Sequence, residues 1–399
     1  MPQQLNTSEE FVHWVCLQSF LSLWSYASPR GKKGKELCDI LVVCEPDVII
    51  ISVKDIRFNE GTDVAHARWT QRAIDESVKQ IYGAERWVAA ATNVVRIDGT
   101  TGLSIPELEN RRIHRIAVAF GSEGKVAFRT GDFGKGFVHV FDERSFGILL
   151  SELDTISDFV AYLAEKEQFT SHACVVFEGE ENLLALYLRG GRRFPVGPDF
   201  CIVQADLWDT FAATPKFNRR NDANRESYSW DRVIELVASD ILNANLEVGP
   251  DLIESELGIR VMAREDRFCR RVLGRNFLEF VRDARAQKTR ARLMQSPSGV
   301  SYVLFRMPPG EDRQKHLPEL KVRCFVARGL SAGSSTVIGI GVSDVGEGWA
   351  ITVLYYDHPQ WTAADAAHAN KLQDELDIFP SSRSRRVPEE EYTEKPSCG

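Results

Sequence analysis

The stretch from Gly34 to Asp55, GKELCDILVVCEPDVIIISVKD, decides the fold. Two β-branched runs, Leu37 to Val43 and Val48 to Val53, flank the turn-forming CEPD and so predict a buried hairpin. Polar and ionisable groups sit at the ends of these otherwise apolar strands. Burying such groups costs several kcal/mol unless they are paired or bind metal, which makes them candidates for chemistry. If Cys44 to Asp47 form a four-residue loop, Val43 pairs with Val48 and Asp39 stands opposite Ser52. Lys54, two residues on, then shares that face. A three-residue loop slips the register by one and turns Asp39 away.

Working outward, residues 7 to 24 predict a helix: Thr7 or Ser8 caps it, Glu9 and Glu10 suit its positive end, and Val12, Val15, Cys16, Phe20 and Leu23 recur at helical spacing. Phe11, Trp14, Leu17 and Leu21 lie off that stripe, so the helix is expected to be covered on more than one side. A basic loop, SPRGKKGK (28 to 35), precedes the hairpin. A helix over about 64 to 84 follows it, then strands near 87 to 91, 113 to 120 and 137 to 141, and a helix over 151 to 167. ACVVF, NLLALYL and FCIVQ, between 172 and 205, read as strands. The fold class expected is α/β, with a mixed sheet buried on both faces.

The chain has 399 residues, a prior of two or three domains. Hydrophobic residues make up 43% and charged residues 27%, which excludes a collagen-like or wholly disordered chain. The expected division is a first domain over 1–214, a linker over 215–230, an α+β domain over 231–379 for substrate or partner binding, and a disordered tail over 380–399. In the second domain, 231 to 293 reads as helical, 300 to 356 as strand-rich and 362 to 376 as a last helix. Eight scattered cysteines without a CxxC pair suit buried free thiols in a reducing cytoplasm, with no zinc site. No signal-like N-terminus and no long apolar run is present, so neither secretion nor a membrane span is expected.

Residues 8 to 95, roughly, resemble the core of the PD-(D/E)XK, or restriction-endonuclease-like, nuclease superfamily. The resemblance rests on a leading helix with an acid (Glu9 or Glu10), Asp39 on the first strand, Ser52-Val53-Lys54 on the second, and a following helix bearing Gln71 and Gln80. It implies a nuclease fold, Mg²⁺ (or Mn²⁺) as cofactor, hydrolysis of DNA phosphodiesters, and a role suited to restriction or anti-phage defence. It further implies Asp39 as principal metal ligand, Lys54 as the cation that helps activate the attacking water, and Gln80 as a supporting or phosphate contact. Superfamily members are often dimers, so a homo-oligomer or partner subunit is compatible. The departure is Ser52, where the family has Asp or Glu; a hydroxyl is a poorer Mg²⁺ ligand than a carboxylate. Glu36, Asp55 and Glu9 are the candidates for a relocated acid, although regular strand geometry points Glu36 and Asp55 to the other face. The alternative is a degenerate nuclease fold that binds nucleic acid or a protein as a sensor or assembly subunit.

Lys plus Arg (49) against Asp plus Glu (57) leaves a net charge of −8, so any nucleic-acid contact needs a local basic surface. Two stretches qualify. Lys32, Lys33 and Lys35 directly precede the hairpin, and the 260–292 region, which includes Arg270, Arg271 and Arg275, has a local charge of +7. The reading beside it is a solvated amphipathic helix paired with acids. Two further motifs are discounted: Gly329 to Gly333 matches G-x-S-x-G around Ser331 but precedes a strand-like run, and Gly131 to Gly136 lacks phosphate-loop spacing and reads as a turn.

Overall fold

The computed structural model describes residues 5–58, 62–124, 126, 129–197, 199–243, 252–331, 333–344, 346, 348–380 and 390–392. The chain divides into two compact units, Met1–Pro215 and Lys216–Gly399. It is a mixed α/β protein, and no described helix is long and apolar enough to cross a membrane.

The first unit begins with α1 (Thr7–Phe20), entered through a capping box between Asn6 and Glu9. Three antiparallel strands follow, β1 (Ser25–Ala27), β2 (Ile40–Cys44) and β3 (Asp47–Asp55). A helical arm, α2 (Asp63–Thr70) and α3 (Glu76–Val88) joined through a π-helical turn at Gln71–Asp75, leads to the small hairpin of β4 (Asn93–Val95) and β5 (Thr101–Ser104). Next come β6 (Arg112–Phe120), β7 (Gly131–Asp132) and β8 (Phe137–Asp142), which complete a six-stranded mixed sheet of order β1-β2-β3-β6-β8-β7. β3, β6 and β8 run parallel, and the helical arm supplies the crossover that a parallel β3–β6 pair requires. Leu41, Val43, Val48 and Ile50 on one face pack on Ile74, Val78 and Ile81 of the arm. The other face meets α1, where Val12, Val15, Cys16 and Phe20 are buried. Each fully buried Ile or Leu here contributes about 1.5–3 kcal/mol, so the β2–β3 hairpin is locked from both sides.

The unit continues with α4 (Glu143–Glu152), α5 (Ile156–His172), β9 (Cys174–Val176), α6 (Glu180–Arg189), β10 (Phe200–Ile202) and α7 (Leu207–Ala212). β9 and β10 form a separate two-stranded parallel ladder.

Several sequence expectations need correction. The strand expected at 87–91 is the end of α3, and the single helix expected over 151–167 is two, because Thr155 caps α5 from extended backbone. NLLALYL is not a strand but the body of α6; Leu183, Leu184, Ala185, Tyr187 and Leu188 are all buried, and a helix covered around most of its circumference yields an unbroken apolar run that mimics a buried strand. α1 is covered less fully than expected, with Phe11 and Trp14 39% and 59% exposed. Five cysteines are buried, but Cys174 is exposed and Cys201 partly so; Cys398 lies outside the described residues.

α8 (Pro215–Asn224) begins at the last residue of the first unit, runs into the second and replaces the expected 215–230 linker: Phe217, Arg220 and Asn224 are buried on it. Then come α9 (Tyr228–Leu242), α10 (Leu252–Ala263) and α11 (Arg267–Arg285), followed by β11 (Ala291–Gln295) and β12 (Ser301–Met307). A helix unforeseen in the strand-rich stretch, α12 (Leu317–Leu330), carries the chain to β13 (Thr336–Asp344), which pairs parallel to β12 and so needs a crossover. β14 (Trp349–Asp357) and α13 (Ala363–Glu375) finish the fold, with sheet order β11-β12-β13-β14. Most of the expected disordered tail lies outside the described residues, but its 390–392 segment is docked, with the carbonyl oxygens of Glu390 and Glu391 accepting from Arg271 at 2.6 and 3.2 Å.

Asp231 joins α9 to α11: it receives Arg267 Nη1 at 2.6 Å and Arg270 Nη1 at 2.7 Å, and both guanidiniums are almost fully buried. Burial alone would raise the Asp231 carboxyl pKa, but Arg270 and Arg267 outweigh it and hold the value below the usual range. Removing one partner of a buried pair strands the remaining charge. Asp231→Ala is therefore expected to cost about 3–5 kcal/mol, read as a lowered denaturation midpoint. Because the folded pKa is depressed, this stabilisation is complete above the unfolded carboxyl pKa of about 4 and is lost as pH falls through the folded value. Asp231→Asn should flatten the acid limb of the stability profile in that window.

Candidate active site at the end of the β2–β3 hairpin

Val43 pairs with Val48 and Cys44 with Asp47, leaving Glu45 and Pro46 as the turn. Ile40 faces Ile51, so the next step along the ladder sets Asp39, just before β2, opposite Ser52. The conditional register is thus the one that brings the polar groups together. Asp39 Oδ2 accepts from Val53 N at 2.5 Å, which fixes the carboxylate against β3. Asp39 and Ser52 are buried and Lys54 is half-buried, on the strand face that carries the helical arm.

Gln80 of α3 ties the group together. Its Oε1 accepts from Ser52 Oγ at 2.9 Å and from Lys54 Nζ at 3.0 Å, while its Nε2 reaches Asp39 Oδ1 at 3.4 Å. α3 presents Gln80 here because Ile81 and Val78 anchor its apolar stripe on the sheet. One carboxamide therefore connects an acid, a hydroxyl and an ammonium. Gln71 is exposed on the π-helical turn and makes no such contact.

The neighbouring carboxylates divide. Glu9 and Glu36 share the electrostatic neighbourhood of Asp39: the Glu9 pKa is raised first by burial, then by the charges of Asp39 and Glu36, against the lowering effects of the Asn6 N–H and Lys54. The Cys38 thiol is pushed well up by burial and by Asp39 and Glu36. Glu9 Oε1 and Oε2 also close the α1 capping box by accepting from Asn6 at 2.7 and 3.1 Å. Asp55 goes elsewhere. It follows Lys54 on the opposite strand face and accepts from Ser8 Oγ of α1 at 2.5 Å, so the regular strand holds without the bulge that would have turned it toward Asp39.

Oxygen donors of this kind suit a hard cation. Among the described residues no group of three or more His, Cys, Asp or Glu side chains is placed to enclose an ion. Mg²⁺ does not require such a cage, since it is commonly held by one or two carboxylates, retained water and substrate phosphate. Asp39, across from the buried Ser52 hydroxyl, fits that mode, with Glu36 a further acid of the same neighbourhood and Glu9 committed to its cap.

Of the basic residues, Lys32, Lys33 and Lys35 are exposed in the turn leading to Glu36 and Asp39. Arg270 and Arg271 do not form a nucleic-acid surface. Both are almost fully buried, Arg270 on Asp231 and on the carbonyls of Glu265 and Ala263, Arg271 on Asn224 and the 390–391 backbone. Arg275 is half-exposed, 3.9 Å from Glu226. The +7 stretch is charged because it stitches the second unit together, as Arg290 does to Glu319 and Arg292 to Glu279 and Asp283.

Ser331 ends a helix rather than starting one; it is buried, donates to Ala327 O at 2.8 Å and lies 2.6 Å from Ser301 Oγ. In the Gly131–Gly136 turn, Asp132 Oδ1 accepts from the amides of Gly134 and Gly136 at 2.6 and 3.0 Å. Sequence reading passed over a buried polar group in the first unit. Lys166, fully buried on α5, pairs with Glu180 at 2.7 Å, and Tyr162 donates to the same carboxylate at 2.6 Å. The available signal was Tyr162 and Lys166, four apart on the apolar side of one helix.

Comparisons with protein-family models, with curated proteins and with solved structures return no match for this chain.

Proposed function

We propose that the first unit is a metal-dependent nuclease module that hydrolyses DNA phosphodiester bonds at the Asp39–Ser52–Lys54–Gln80 group. The observation that carries this reading is the single carboxamide of Gln80 holding Lys54 and Ser52 while reaching Asp39, at the end of a hairpin buried from both sides. The Lys54 ammonium is only half-buried and shares the electrostatic neighbourhood of Glu9, which also holds Asp39 and Glu36.

In this reading Asp39 and Glu36 hold Mg²⁺ or Mn²⁺, which supplies charge neutralisation at the phosphate and a lowered pKa for bound water. The Val53 amide keeps the Asp39 carboxylate in one orientation. Lys54, steadied by Gln80, orients the attacking water and stabilises charge that develops on the phosphoryl oxygens. Lys32, Lys33 and Lys35 grip the flanking phosphates, which lets a chain of net charge −8 hold a polyanion locally.

Ser52 favours a second reading, a catalytically silent fold that binds nucleic acid or a partner, because the position two residues before Lys54 is neutral and buried. Metal dependence separates the two. Purified protein is expected to cleave DNA with Mg²⁺ or Mn²⁺ and not with EDTA; Asp39→Ala should abolish cleavage and Lys54→Met should lower its rate about 10²–10³-fold. Metal-independent binding without cleavage would select the second reading.

Ser52→Asp adds a carboxylate beside Asp39. The variant is expected to show a larger Mn²⁺-induced rise in thermal midpoint than the parent, measured by differential scanning fluorimetry over a metal titration.

Replacing Lys32, Lys33 and Lys35 together by Gln should weaken DNA binding and reduce the slope of log affinity against log salt by about 2–3. An unchanged slope would remove this loop from the interface.

A further inference from the structure

Among the described residues no strand pairs with the outer edge of β10 in the two-stranded β9–β10 ladder, and β10 borders a cavity of about 590 Å³. Cys201, Ile202 and Val203 all line it, together with Arg189 and Arg193, and no β9 residue does. Bordered by these three consecutive residues and by none of β9, the cavity lies on the side of β10 away from β9. The backbone agrees. Cys174 N donates to Asp199 O and Val203 N donates to Val176 O, so the odd-numbered peptide groups of this strand turn to β9. Phe200 and Ile202 therefore turn their N–H and C=O groups away from β9.

Parallel ladders are normally buried inside larger sheets, and exposed edges are normally protected by charge or proline on the strand. This one is neither: Phe200 and Ile202 are 56% and 69% exposed, and Val176 beside them is 51% exposed. The charges stand at the far wall instead. Arg189 and Arg193 are exposed and have no side-chain partner among the described residues. Gly190 allows this wall to form, because a Cβ there would lie 2.2 Å from Arg193 O.

We propose that the β10 edge is a strand-addition site for an extended peptide of a partner protein, one that alternates apolar with acidic side chains. The peptide backbone would pair with Phe200 and Ile202, its apolar side chains would cover the exposed Phe200–Ile202 face, and a carboxylate would meet Arg189 and Arg193. This surface is separate from the hairpin group and does not depend on the nuclease reading.

The test uses the full chain and a fluorescein-labelled nonapeptide alternating valine with glutamate, followed by fluorescence anisotropy. Saturable binding is expected, weakened about tenfold or more by R189E/R193E and by I202P, and lost when the probe's edge amides are N-methylated. Proline at 202 removes an N–H directed to the open edge and leaves the β9 ladder intact, which circular dichroism checks. If that variant loses the fold, the exposed arginine pair still decides. No saturable binding, equal binding by the variants, or equal binding of a valine–lysine probe would overturn the proposal. So would self-association of the chain abolished by I202P, since it would place a second copy on this edge.

Discussion

The pairing of Val43 with Val48 governs everything proposed for the hairpin. Strand side chains alternate with a period of two, so a slip of one residue would send Asp39 to the α1 face while Ser52 and Lys54 stayed under the helical arm. The register is held by burial on both faces. Leu41, Val43, Val48 and Ile50 have α3 to fill, and Ile40, Val42, Ile49 and Ile51 have the opposite side. A slip of β2 would exchange Leu41 and Val43 with Ile40 and Val42 beneath covers shaped for the other pair, a repacking cost of about 1–3 kcal/mol, and would take the buried Asp39 carboxylate away from the Val53 amide. Core packing and that hydrogen bond together set the site's geometry.

The two arginine- and lysine-rich stretches show how position decides what charge does. Lys32, Lys33 and Lys35 occupy an exposed turn. Arg267, Arg270 and Arg271 occupy the buried side of α11, where each guanidinium meets a carboxylate, an amide or backbone carbonyls. A guanidinium has five donors in a fixed plane and can be satisfied inside a protein if acceptors surround it. Composition counts charge but not acceptors.

The hairpin was legible in the sequence because β-branched runs around a short turn have one ready solution, and Asp39, Ser52 and Lys54 follow from it by counting. Gln80 was legible only by resemblance, and its role as the link emerged from the fold, since nothing local sets a residue 26 positions from Lys54 against it. α6 and α12 were lost for opposite reasons: α6 is buried on nearly all sides and shows no period, while α12 is embedded in glycine-punctuated strands. The burial of Arg270 depends on Asp231, 39 residues away and on another helix.

Ser52 carries the most consequential departure from the nuclease pattern, and its hydrogen bond gives that departure a physical meaning. The hydroxyl donates to Gln80 Oε1, the same atom that receives Lys54. A carboxylate at position 52 accepts only, so it would face the amide oxygen acceptor to acceptor and favour the turned amide, with Nε2 toward residue 52. Lys54 would then lose Gln80 as its acceptor and be left to pair with the new acid. In this chain the neutral residue instead lets Gln80 take both donors on its oxygen and direct its amide nitrogen to Asp39. Serine at 52 and glutamine at 80 thus act as one unit, and the orientation of Lys54 depends on both.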